Sequence, residues 1–385
     1  MLMPRHVRQE TRLDTGLRFL VSRQDLQRTR VTPDPDAPMA RPLAEGELRL
    51  AVDQFAFTAN NITYAAFGES MKYWQFFSGD DGAWGCIPVW GFATVCESRV
   101  AGVDIGRRVY GYLPMGSFHV AQAVRVDDRG FIDALPHRVN LPAAYNHYQF
   151  CNADPGYRSD REGQQALLRP LFTTSFLLDD FLREQQWFGA TQVLLSSASS
   201  KTAYGLAFCL RRDPAQAPRV VGLSSPNNLP FAERLATYDT LRAYDGLESL
   251  DPAQPTVYVD FAGDSALRRR IHQHFGSQLA YSCAVGGTHW QGLAGSQDLP
   301  GPRPTLFFAP AQLKKRLQPA PEGWGRDGFQ QRLADAWSAF MVPVCDSAAP
   351  WLVVQHRQGL EAVEQVYREQ LDGRADAKFG TMLKL

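Results

Sequence analysis

Net charge is what this chain lacks first: 40 lysines and arginines are offset by 40 aspartates and glutamates over 385 residues. A nucleic-acid footprint or an anionic membrane partner calls for a basic excess, so neither is expected. No apolar run approaches the roughly 20 residues of a membrane-spanning helix. Met1 to Leu13 carries charges throughout and has no apolar core of the secretory kind. The six cysteines, at 86, 96, 151, 209, 283 and 345, include no C-x-x-C pair, which argues against a zinc knuckle or a redox pair. Several sit in apolar surroundings, as expected of small buried side chains in a reducing compartment. A soluble, cytoplasmic protein is expected. No G-x-S-x-G elbow occurs, which argues against a serine hydrolase.

What is present is ordinary globular composition, 44% hydrophobic and 21% charged, in a chain long enough for two or three domains. The first 44 residues resist assignment; Thr32 to Pro42 is proline-rich and reads as a loop. From Glu47 to Asp53 polar and apolar residues alternate with the period of a half-buried strand. Pro88 to Glu97, Arg107 to Leu113 and His119 to Val126 continue the pattern, and such short strands predict a small β-barrel or sandwich. Beyond Arg161 the texture changes. Leu171 to Phe188 is apolar at helical spacing. Strand-like runs at 193–195, 219–223, 256–261 and 279–285 then alternate with helices at 203–211, 228–236 and 264–275, with Asn228 placed to cap its helix. That alternation predicts a doubly wound parallel sheet. Helices are expected at 310–317, 328–340 and 359–371, and strands at 351–354 and 380–385. The expected domains are 1–160, 161–310, and a return to the first domain over 311–385.

The most informative stretch is VLLSSASSKTAYG, Val193 to Gly205. It joins the first buried strand to the first helix, where backbone N–H groups and the helix dipole meet a ligand's phosphates. The three slots for small residues fall to Ser197, Ser200 and Ala203, so serines stand where glycines are usual. Ser199 and Thr202 add donors and Lys201 a positive charge. A polar cap with a solvated lysine is the structural alternative. Ser200-Lys201-Thr202 also resembles the end of a nucleoside-triphosphatase phosphate loop, but Leu195 and Ser200 occupy its glycine positions. The second strand ends Leu223-Ser224-Ser225-Pro226-Asn227, with no carboxylate for a ribose 2′-hydroxyl, which favours NADP over NAD. Ser224, Ser225 and Asn227 are candidate contacts, or an ordinary polar turn.

ANNITYAAFG (59–68), PVWGF (88–92), RVYGY (108–112), PLFTTSFLLDDFL (170–182), SSASSKTA (196–203), VYVDFAG (257–263), the VG-TH ending at 285–289 and FGTML (379–383) together resemble the medium-chain dehydrogenase/reductase superfamily. They are similar to its zinc-free quinone and enoyl reductases, and in particular to an uncharacterised domain-of-unknown-function branch. The resemblance covers about residues 45 to 385. It implies an α/β protein, a GroES-like β-barrel catalytic domain plus a Rossmann domain, with NADP(H) held between them. It also implies an apolar enone or quinone as substrate, and a homodimer by analogy. Gly91-Phe92-Ala93 stands where zinc alcohol dehydrogenases carry Gly-His-Glu, so no zinc is expected. Tyr64 is the first candidate to donate a proton or orient the substrate carbonyl. Asn61 is a second, as a carboxamide donor, and Tyr73 a third. Thr174 is implied to lie in the helix that touches the nicotinamide, and His289, after the strand ending at Val285, is expected to face the cofactor cleft at the ligand edge of the sheet. Each has a structural counterpart: a core tyrosine, a helix cap, a surface loop. Tyr73, Trp74, Phe76 and Phe77 form an aromatic group that fits a substrate wall, a packed loop or a dimer contact. The alternative function is a catalytically inactive scaffold that binds NADP(H) as a sensor or interaction protein.

Overall fold

The computed structural model describes residues 15–77, 79, 82–213, 218–285 and 299–385. The chain forms two compact units, one of the residues up to Leu167 with Val354–Leu385, the other Leu168–Val353. The second unit therefore runs past residue 310, where the return to the first was expected.

In the first unit six antiparallel strands close on themselves. Their spatial order is Glu47–Phe57, Pro88–Ser98, Arg108–Pro114, His147–Phe150, Gly130–Asp133 and Phe118–Asp127, and the last pairs back onto the first. Phe379–Lys384 extends the sheet alongside Glu47–Phe57, with Val353–Gln358 beyond it. Inward-facing Leu48, Leu50, Val89, Val95, Val109 and Phe131 fill the interior, as the alternating pattern requires.

The N-terminal stretch that resisted assignment belongs to this unit. Leu17–Ser22 pairs with Thr29–Pro33 and with Trp84–Gly85. Its Arg18 is buried and donates to Asp34 at 2.7 Å, to Asp36 at 3.1 Å and to the Phe118 carbonyl at 3.0 Å. Asp34 in turn accepts the N–H groups of Ser117 and Phe118, each at 2.9 Å. A second buried group stands in the barrel, where Arg138 donates to Asp133 at 2.8 Å and to Asn146 at 3.0 Å, and His119 Nε2 lies 3.0 Å from Asp133.

The second unit is built on a six-stranded, all-parallel sheet. Numbered along the chain, its strands are Gln192–Leu195, Arg219–Ser224, Thr240–Ala243, Thr256–Asp260, Leu279–Ala284 and Thr305–Leu306. Their spatial order is third, second, first, fourth, fifth, sixth. Val193 and Leu195 pack on one face with Leu178, Leu206 and Leu210, while Leu194 packs on the other with Leu247, Tyr258 and Ile271. Both faces are buried, which is why these strands read as unbroken apolar runs. The third and sixth strands carry no such run and were not expected.

Other boundaries differ for local reasons. The helix expected over 171–188 spans Glu162–Glu184, since Trp187 and Phe188 take φ values of 54° and 53° that no helix allows. Asn228 precedes the Leu229–Arg234 helix but its side chain makes no cap bond, because Pro226–Asn228 already forms a helical turn. Among the described residues no helix is long and apolar enough to cross a membrane.

Two stability effects follow. Arg18→Ala leaves Asp34 buried without its cation and is expected to lower unfolding stability by about 3–5 kcal/mol in a urea titration. His272 is fully buried, donating from Nδ1 to the Pro300 carbonyl and facing Ser282 Oγ from Nε2, both at 2.9 Å. Burial holds its pKa below the ordinary value. The neutral ring's stabilising contribution is therefore complete above the unfolded value of about 6.5 and is lost as pH falls towards the folded one. The drop in urea midpoint on going from neutral to acidic pH should be smaller in His272→Gln than in the native chain.

Candidate functional site

The sheet order reverses between the first and fourth strands, and the first strand lies between the second and the fourth. In open parallel sheets ligands bind at such a reversal, beyond the carboxyl ends of the strands. The serine stretch stands there. Ser197 takes φ 52°, a left-handed conformation that usually falls to glycine. Ser200 is the N-cap of the Lys201–Leu210 helix, its hydroxyl accepting the Ala203 N–H at 3.4 Å. The expected slots thus divide into a tight turn at Ser197 and a cap at Ser200. The close packing usually served by a third glycine is served by Gly205, where a Cβ would lie 2.9 Å from Ser175 Oγ. Ser175 itself donates to the Thr202 carbonyl at 2.8 Å.

The turn is held from several sides. Ala198 N–H donates to the Leu223 carbonyl at 2.9 Å, and the Tyr238 hydroxyl donates to the Ala198 carbonyl at 2.7 Å. Ser197 N–H donates to the Tyr244 hydroxyl at 3.2 Å. Ser196 Oγ donates to Asp260 at 3.1 Å and accepts the N–H groups of Phe261 at 2.9 Å and Ala262 at 3.1 Å. Asp260 is paired with buried Arg268 at 2.9 Å. Tyr238, Tyr244, Ser196 and Asp260 were not singled out in the sequence. The two tyrosines flank the unexpected third strand, so their relation to the turn had no local signal.

The expected cofactor residues therefore divide. Ser197, Ser200, Lys201 and Thr202 form the bend and the helix start. Ser199 and Ser224 are buried, and the Ser224 hydroxyl donates to Ser199 Oγ at 3.4 Å. This contact links the turn to the second strand. Ser225 is half-buried and Asn227 exposed at the end of that strand. The Thr174 hydroxyl donates to the Pro170 carbonyl at 3.3 Å, one helical turn back, while the neighbouring Ser175 reaches the turn's helix. His289 lies outside the described residues.

The expected catalytic residues gather in the first unit. Tyr64 is buried on the Ala59–Ala66 helix, its ring centroid 4.5 Å from Tyr73 and 5.7 Å from Tyr112. Burial raises the pKa of Tyr64 and of Tyr73 further above the ordinary phenol value, which makes both weaker acids. The Oδ1 of Asn61 accepts the Thr58 N–H at 2.8 Å and its Nδ2 donates to the Pro88 carbonyl at 3.0 Å, so the carboxamide closes the helix start and ties it to the barrel. Trp74, Phe76 and Phe77 are core residues of this unit. Among the described residues no three His, Cys, Asp or Glu side chains cluster as a metal site.

Residues 55–376 match the model of a protein family of unknown function, DUF2855. The chain belongs to this family. No curated protein matches it by sequence. Among solved structures, this DUF2855 chain is similar to the CurF ER cyclopropanase from the curacin A biosynthetic pathway, with 14% identity, TM-score 0.59, and 96% of this chain and 99% of that one covered. It is similar to CurA from Vibrio vulnificus in complex with NADPH, with 14% identity, TM-score 0.55, and 95% and 98% covered. It is also similar to the quinone oxidoreductase from Coxiella burnetii, with 12% identity, TM-score 0.51, and 96% and 99% covered. The fold, a GroES-like barrel with a Rossmann-like parallel sheet, is the one the sequence resemblance implied.

Gly222 on the second strand tests how tightly the turn is held. A Cβ there would lie 2.7 Å from Leu241, 2.8 Å from Tyr238 and 2.9 Å from Ala198. Gly222→Val is expected to lower stability by about 1–3 kcal/mol through overpacking, read as a lower urea midpoint.

Proposed function

We propose that this protein is an NADPH-dependent, zinc-independent reductase that delivers hydride to an apolar enone or quinone. The observation that carries the reading is the serine-capped turn at the reversal of the parallel sheet, followed by a second strand that ends without a carboxylate. The residues fit the cofactor. The start of the Lys201–Leu210 helix presents backbone donors and the positive end of its dipole to a diphosphate. Ser200, Lys201 and Thr202 would hold that group, with Lys201 contributing charge. Ser225 and Asn227 would face the adenosine ribose, where a neutral, donor-bearing edge accepts a 2′-phosphate that a carboxylate would repel.

The nicotinamide, when bound, supplies the hydride. The protein's part is to hold the acceptor and manage its proton. Tyr64 suits this, since its buried phenol is protonated at neutral pH and can hydrogen-bond to an oxygen that gains charge. The bound NADPH of the CurA structure and the name of the Coxiella quinone oxidoreductase support the same reading for a shared fold.

Thermal-shift titration should show stabilisation by NADPH at concentrations where NADH has little effect. Lys201→Ala should raise the NADPH dissociation constant about tenfold or more. With NADPH and a panel of quinones and enones, Tyr64→Phe should lower turnover about 100-fold with little change in NADPH affinity. No stabilisation by NADPH overturns the reading. Binding without turnover on any acceptor favours the nucleotide-binding scaffold.

A further inference from the structure

In the first unit, strand register sets Trp90 directly opposite Tyr112. Residues opposed in this way project to the same face of the sheet. The two rings lie 5.2 Å apart, and Tyr112 also meets Tyr64 at 5.7 Å, edge to face. Tyr112 is fully buried. Among the described residues, neither the Tyr112 hydroxyl nor the buried Trp90 indole N–H finds a hydrogen-bond partner at bonding geometry. Both nevertheless stand beside the Tyr64 hydroxyl, near enough to oppose in part the effect of burial on its pKa. A buried donor left unmade costs about 1–3 kcal/mol, and two beside each other call for a common acceptor.

The surroundings define that acceptor. Tyr73 packs on Tyr64 at 4.5 Å, Phe76 meets Tyr112 at 5.2 Å, and Tyr145 lies 4.6 Å from Tyr112. Arg138, whose charge acts on Tyr112, is already engaged with Asp133, Asn146 and the Tyr145 carbonyl. Neutral donors within aromatic walls match an uncharged oxygen on a flat, conjugated ring better than a carboxylate or a phosphate.

We propose that Trp90 and Tyr112 form, with Tyr64, a three-donor seat for the carbonyl oxygen of a planar aromatic ketone or quinone. The proposal deepens the reductase reading and rests on it for the reaction, but the seat recognises its ligand without cofactor. Trp90 and Tyr112 hold the oxygen while Tyr64 faces it. Substrates are thereby selected by ring shape and by a carbonyl, and an apolar compound of the same outline without the oxygen is held less well.

The test uses two dyes of matched outline, anthraquinone-2-sulfonate and anthracene-2-sulfonate, titrated into the full chain without nucleotide by calorimetry. The quinone should bind at least fivefold more tightly than the hydrocarbon. Tyr112→Phe and Trp90→Phe should each weaken quinone binding about 3- to 10-fold and leave anthracene-2-sulfonate binding unchanged. Tyr112→Phe removes only an oxygen, so its melting temperature should hold or rise. Equal binding of the two dyes, or quinone binding untouched in both variants, overturns the seat. So does a fall in the Tyr112→Phe melting temperature with the dye preference intact, which marks a hydroxyl satisfied by structural water. NADPH stabilisation measured alongside separates the cases: present without dye preference, the seat fails and the reductase stands; absent with dye preference, the reverse.

Discussion

Three strand ends meet at the bend between Leu195 and Lys201, and their mutual hydrogen bonds fix the shape of that bend. Ala198 is tied to Leu223 at the end of the second strand, and Ser196 to Asp260 and the residues after it at the end of the fourth. Tyr238 and Tyr244 reach in from either side of the third strand. Anion binding by a helix start depends on where its N–H groups point, and a displacement of a fraction of an ångström weakens such bonds. Ser197 holds its left-handed conformation in this setting without the freedom of glycine. Such a conformation costs on the order of 1–2 kcal/mol, and the surrounding bonds offset it.

The first unit treats its buried polar groups in two ways. Arg138 donates to Asp133, Asn146, the Tyr148 hydroxyl and the Tyr145 carbonyl, and Arg18 binds Asp34, Asp36 and the Phe118 carbonyl. Charges so well supplied with partners act as architecture: they fix the N-terminal strand and the loops to the barrel. The Trp90 and Tyr112 donors have no comparable partners.

Legibility in the sequence followed physical locality. Strands buried on both faces, such as Gln192–Leu195 and Arg219–Ser224, announce themselves by continuous apolar runs, and the Glu47–Phe57 strand begins with alternation. Thr240–Ala243 is half exposed and short, and its pairing with the second strand rather than its composition makes it a strand. Asn228 has the right type for a cap, yet a preceding turn removed the need for one. Asn61 and Thr174 have the right chemistry for a ligand, and nearby backbone atoms engage them. Trp90 and Tyr112 were visible as parts of PVWGF and RVYGY, but nothing in either segment shows that they oppose each other.

By itself the sequence determined the class of each unit, the position of the serine-rich strand-to-helix turn and the absence of a carboxylate after the second strand. These depend on periodicity, on residue size and on neighbours a few positions apart. Only the tertiary structure decided the strand order that places the turn at the sheet's reversal, the inclusion of residues 15–44 in the first unit, and which buried donors go unmatched. Those depend on pairings between residues tens to hundreds of positions apart, whose geometry is set by packing of the whole core and leaves no periodic trace in any one segment.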